Sequence, residues 1–178
     1  MKNWIGISLG DVSGVGPEVA LKAVASEAAS DETKYLLIGD ENVIVRLNAS
    51  LGLNLPLAKF SSYSDAEKFS VVNPLAEPLL GKITAGAPQA ANAAVAALRD
   101  GGQRCLRGEL DALVTAPVNK QSIIRAGHQF IGQTEFLSEL AGTKRTAMML
   151  LGTDERGHWL RVALATVHIA IKSVPEKL

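Results

Sequence analysis

One stretch of this chain limits its fold more than any other. Residues 111–137 run from an apolar, strand-like segment through Thr115, Ala116 and Pro117 into Asn119 and Lys120. A helical spacer follows, and polar residues return at Thr134 and Glu135. Leu113 and Val114 read as the end of a buried strand. Pro117 has no amide to donate, so it marks where a ladder stops. Small and polar residues at the carboxyl end of a strand, backed by a helix, are where open α/β sheets hold ligands. Thr134 and Glu135 then form a second wall of the same crevice.

The rest of the chain reads as short strands separated by helices. Residues 4–9 form an apolar run fit for a buried first strand. A glycine-rich turn over 10–16 leads to Pro17 at a first helical position, with Glu18 behind it. Glu18 places a negative charge in the positive first turn, where it opposes a docked phosphate. The turn matches neither the dinucleotide nor the P-loop glycine pattern. Residues 35–38 form a second strand, and Asp40 is placed to cap a helix through Leu47. Strands follow at 57–60 and 69–72, around a polar surface segment at 61–68. Residues 73–87 are an irregular connection or hinge. Ala91, Ala94, Val95, Leu98 and Cys105 recur at helical spacing within 88–107. Gly101 and Gly102 weaken that helix by about 1 kcal/mol each and allow a bend. A helix at 134–141 precedes strands at 147–151 and 160–166, joined by a turn at 153–158.

Composition excludes several classes. Eighteen basic residues balance eighteen acidic ones, leaving no net field to attract nucleic acid or anionic membrane. Aromatic residues make up 4% of the chain, too few for base-stacking platforms. The single cysteine, Cys105, rules out an internal disulfide and a thiolate metal cage. No apolar run approaches the roughly 18 residues of a membrane span, and no signal-peptide pattern opens the chain. A soluble, cytoplasmic protein is the expectation.

Four blocks in order carry a family likeness: GDVSGVGPE (10–18), VTAPVNK (114–120), GQTEF (132–136) and RVALATVH (161–168). Together they resemble the 4-hydroxythreonine-4-phosphate dehydrogenases of pyridoxal-phosphate biosynthesis and their sugar-acid phosphate relatives. The first block is also similar to the opening of isocitrate and isopropylmalate dehydrogenases. The resemblance implies an α/β, isocitrate-dehydrogenase-like fold of which this chain is the amino-terminal half. Most of the first domain is expected in 1–130, and the start of the second, or its connection, in 131–178. It implies a cytoplasmic homodimer that oxidises and decarboxylates a phosphorylated hydroxy acid. NAD or NADP takes the hydride, and a divalent metal such as Zn, Mg or Co assists.

Carried over residue by residue, the likeness places Gln133, Thr134 and Lys120 on the substrate. Asp11 or Ser13 lies near the cofactor, and His168 matches a metal ligand. No residue is assigned the proton-transfer role. Two departures matter. The family has histidine where this chain has Gln133, and glutamine cannot carry charge near neutral pH. One imidazole is also not a metal site, since such sites need roughly three or more protein ligands. His128 and His158 lie at no matching position. The 178 residues alone are therefore expected to be inactive, with sheet edges uncovered. The alternatives are a binding module on the same scaffold and a dehydrogenase of a phosphorylated sugar acid.

Overall fold

The computed structural model describes residues 3–27, 32–167 and 169–178. Two compact units are present, Met1–Ala141 and Gly142–Leu178.

The first unit is built on β1 (Trp4–Ser8), β2 (Lys34–Ile38), β3 (Leu57–Lys59), β4 (Phe69–Val72) and β5 (Ala112–Thr115). They form one sheet in the order β3-β4-β2-β1-β5. Every pairing in it is parallel. Parallel strands need covering on both faces, and the central strands β1, β2 and β4 receive it. β5 lies at a sheet edge, so Val114 is exposed rather than buried as its apolar run predicts. Ile7, Tyr35, Leu37, Phe69 and Val71 face α1 (Gly16–Glu27) and α2 (Glu41–Ser50) in one core. Trp4, Leu36 and Ile38 face the other way, toward Ala97 of α3 (Pro88–Leu106). Asp111 clamps the start of β5 to β1. Its carboxylate accepts from Trp4 N at 3.1 Å, and its amide donates to Trp4 O at 2.9 Å.

α3 is continuous through Gly101 and Gly102, and close packing takes the place of the bend that the glycines allow. A Cβ on Gly101 would stand 2.5 Å from Leu113 Cδ1, and one on Gly102 would stand 2.6 Å from Leu140 Cδ2. Both glycines are buried, and α3 lies flat because they carry no side chain. Cys105 is half-buried, and burial pushes its thiol pKa up, which fits a packing role.

Residues 73–87 contain no helix or strand, yet they are tied down. The buried Asp40 carboxylate caps α2 by accepting from Val43 N at 3.0 Å, and it also accepts from Leu79 N at 2.6 Å. One side chain thus fixes both the helix start and the long connection.

The second unit contains an antiparallel hairpin, β6 (Met149–Thr153) and β7 (Trp159–Ala163), each somewhat later or shorter than the periodicity predicts. Leu150, Leu151, Trp159 and Leu160 are exposed, so apolar side chains occupy both faces of the ribbon. No helix among the described residues is long and apolar enough to cross a membrane.

Alanine usually improves a helix interior over glycine by about 1 kcal/mol. At Gly101 the clash with Leu113 outweighs that gain. G101A is expected to lower stability by roughly 1–3 kcal/mol through overpacking. Urea unfolding followed by circular dichroism measures it, and a raised midpoint would refute the packing account.

Candidate functional site

Ligand crevices of open α/β sheets form where neighbouring parallel strands send their connections in opposite directions. Here that point lies between β1 and β5, because α1 and α3 sit on opposite faces of the sheet. The turns leaving these two strands are bound to each other. Ala116 N donates to Ser8 O at 2.9 Å, and Asp11 N donates to Pro117 O at 3.0 Å. Gly10 has φ +70°, and a Cβ there would stand 2.2 Å from Pro117 O. A Cβ on Gly16 would meet Leu9 O at 2.6 Å. These glycines serve the approach of one backbone to another.

Asp11 and Ser13 form a closed pair within this loop. The buried Asp11 carboxylate accepts from Ser13 N at 2.8 Å and from Ser13 Oγ at 2.6 Å. Gly14 N donates to Asp11 O at 3.0 Å. The amides of residues 11, 13 and 14 are therefore already used, and they do not form a phosphate cradle. Glu18 pairs with Lys22 at 2.6 Å on the first turns of α1.

Two short helices bring the remaining residues to this edge. α4 (Lys120–Arg125) starts at Asn119, whose side chain accepts from Ser122 N at 3.0 Å. Lys120, its first residue, is exposed and makes no hydrogen bond or ion pair among the described residues. α5 (Gln133–Leu140) starts at Gln133. Gln133 Nε2 donates to Ala116 O at 3.2 Å, so its amide reaches the turn after β5. Gln133 Oε1 is buried and has no hydrogen-bond partner among the described residues. Thr134 is exposed; its carbonyl accepts from Ser138 Oγ at 2.7 Å, and its own hydroxyl makes no hydrogen bond among the described residues. Gln133 thus meets the Ala116 turn, while no hydrogen bond joins Lys120 to Gln133 or Thr134 among the described residues.

The histidines are separate. His128 Nε2 lies 2.8 Å from Asn92 Oδ1 on α3. His158 belongs to the β6–β7 turn, its Nδ1 2.9 Å from Asp154 Oδ2. His168 lies outside the described residues. Among the described residues, no group of three or more His, Cys, Asp or Glu stands close enough to hold a metal ion. The described donor set does not fit a resident divalent cation.

Comparison with known proteins adds the family. The family model described as pyridoxal phosphate biosynthetic protein PdxA matches residues 31–178. The chain belongs to the PdxA family. It is 38% identical over 180 residues to a 4-hydroxythreonine-4-phosphate dehydrogenase of Synechocystis, covering 97% of this chain and 49% of that one. It is 35% identical to the enzyme of the same name from Geobacter metallireducens, covering 98% of this chain and 51% of that one. A crystal structure of a 4-hydroxythreonine-4-phosphate dehydrogenase from Burkholderia phymatum superposes with a TM-score of 0.82 at 30% identity. It covers 98% of this chain and 52% of that one. The PdxA relatives are oxidoreductases with the isocitrate-dehydrogenase-like α/β fold that the sequence blocks imply. This chain spans about half the length of the curated relatives it matches.

Sequence reasoning missed the carbonyls of Ala116 and Pro117, which organise this edge. Main-chain acceptors leave no residue-type signal. The only hint was Gly10, whose positive φ is needed for the contact.

The His158 turn gives a pH test. Asp154 accepts from His158 N at 2.8 Å and faces its ring, and these bonds, the backbone one first, hold its carboxyl below the usual aspartate value. A depressed folded pKa means that the contribution is complete above the ordinary aspartate range. It disappears as pH falls through the lowered value. Protection of the His158 amide from hydrogen exchange should therefore survive into the ordinary aspartate range and vanish only below it. D154A should remove it at every pH, and protection unaffected by that change would refute the contact.

Proposed function

We propose that this chain is the amino-terminal portion of an enzyme acting on 4-phosphohydroxy-L-threonine, or a close phosphorylated hydroxy acid, in pyridoxal-phosphate biosynthesis. The secondary alcohol loses its hydroxyl proton and passes a hydride from carbon to NAD or NADP. The resulting β-keto acid then loses its carboxyl group as carbon dioxide. The electron pair of the broken bond stays on the α-carbon as an enolate, which takes a proton from water. The single observation that carries the reading is Gln133. It stands against the turn after β5 with a buried acceptor that the protein leaves unpartnered.

Each substrate-facing residue has a distinct capacity. Gln133 Oε1 accepts from a hydroxyl or amino group but offers nothing to a phosphate oxygen. Lys120 supplies a compact positive charge for a phosphate or carboxylate. Thr134 both donates and accepts. Asp11 and Ser13, bound to one another, contribute the shape of the loop beside the cofactor rather than free donors. The dehydrogenases named above motivate a divalent metal, and His168 is its proposed ligand here.

The same reading makes the enzyme a cytoplasmic homodimer with most of its first domain in residues 1–130. The second domain or its connection begins in 131–178. By themselves the 178 residues are proposed to bind substrate without turning it over.

Two measurements separate binding from turnover. 4-Phosphohydroxy-L-threonine should raise the melting temperature of the purified chain, since a ligand of the folded state must do so. K120Q should weaken that binding about tenfold, the order expected for a lost charged hydrogen bond. Reduction of NAD or NADP by the chain with added Zn²⁺ or Mg²⁺ should be absent. No thermal shift would sink the substrate assignment, and turnover comparable to a full-length relative would sink the proposal of an incomplete catalyst.

A further inference from the structure

A second concave site lies at the carboxyl edge of the sheet, on the β2–β4 side of β1. The cavity measures about 320 Å³ and is lined by Val12, Val43, Arg46, Gly81, Lys82 and Ile83. Val43 and Arg46 are three residues apart on α2 and so share a face. Asp40 fixes the distance between α2 and the long connection, because its carboxylate accepts from Val43 N and from Leu79 N. Gly81, at φ +72°, then turns the chain two residues beyond that anchor and leads into Lys82. Val12 closes the cavity from the loop after β1.

Its electrostatics are one-sided. Two cations line it and no carboxylate does. Neither Arg46 nor Lys82 makes a hydrogen bond or ion pair among the described residues, whereas Lys22, Arg104 and Arg107 are all paired with acids. Of the acids in the neighbouring segments, Asp11 is bound by Ser13 and Asp40 by two amides, while Glu41 and Glu77 do not line the cavity. Both cations are exposed and face one hollow at the ligand edge of a parallel sheet, with no acid in its lining. Their fields therefore add there and favour an anion.

We propose that this cavity binds the phosphate of a phosphorylated small molecule. The Arg46 guanidinium takes two phosphate oxygens in its planar fork, and the Lys82 ammonium neutralises the remaining charge. Its volume, at the lower end of ligand pockets, takes a phosphate with a small organic group or the diphosphate portion of a nucleotide. The site shares no residue with Gln133, Thr134 and Lys120, and it stands independently of the role proposed for them.

The test is a titration of the whole chain with pyrophosphate at constant ionic strength, followed by backbone amide NMR. Shifts should centre on residues 81–83 and on Arg46. R46Q and K82Q should each weaken binding about tenfold, the order of one charged hydrogen bond. K82R, which keeps the charge, should retain binding and guards against a general loss of structure. O-Phospho-L-threonine and ADP then identify the source: a preference for the first names a phosphomonoester, and for the second a nucleotide. Shifts centred elsewhere, unaltered affinity in R46Q and K82Q, or no response to any of the three probes would overturn the proposal.

Discussion

The contact of α3 with the sheet at Gly101 determines where everything at the candidate site can stand. Leu113 of β5 and Ile38 of β2 fill the space that a side chain at Gly101 would take, and Gly6 of β1 leaves room for the same two residues from below. With four small or absent side chains along the buried stripe (Ala94, Ala97, Gly101 and Gly102), the helix axis comes close to the strands. That closeness brings Gly102 against Leu137 and Leu140, so α5 packs on α3. α5 in turn presents Gln133 to the turn after β5. A bulkier α3 would push α5 outward and break the 3.2 Å contact to Ala116 O without touching either partner.

At the carboxyl edge the chain consumes most of its own polar groups. Asn119 caps α4, Asp40 caps α2 and holds the long connection, and Asp11 binds Ser13. The carbonyls of Ser8, Ala116 and Pro117 are taken by Ala116 N, Gln133 Nε2 and Asp11 N. This economy is what gives the exceptions meaning. Buried polar atoms are normally satisfied. Among the described residues two buried side-chain atoms are left over, Gln133 Oε1 and Ser8 Oγ, and the exposed Thr134, Lys120, Arg46 and Lys82 also keep capacity for a ligand.

The α/β order was readable because each strand is short, apolar and bounded by glycine or a capping residue. Asp40 and Pro88 mark helix starts by side-chain chemistry that operates within a few residues. Phe69–Val72 matched its prediction without change, and α3 ended within a residue of it. Gly101 and Gly102 allowed a bend on local propensity, which counts a glycine's flexibility and cannot see Leu113 or Leu140 across the interface. The joining of Arg46 to Lys82 was invisible for the same reason. Thirty-six positions separate them, and only the fold of the Asp40 anchor brings them to one hollow. The family blocks located Gln133 and Thr134, but not which atom of Gln133 would be free.

Gln133 also explains how a departure from the family pattern can keep its geometry. A neutral imidazole offers one N–H donor and one bare nitrogen acceptor. The Gln133 amide, with Nε2 given to Ala116 O and Oε1 left over, reproduces that pair of capacities. Reversing the amide would set Oε1 against the Ala116 carbonyl, acceptor to acceptor, so the bond fixes its orientation. What glutamine cannot reproduce is a second proton. A histidine here would gain charge as pH fell through its ordinary range and then attract a phosphate or carboxylate. Gln133 stays neutral at every pH, so the anion recognition proposed for this edge would fall to its cations.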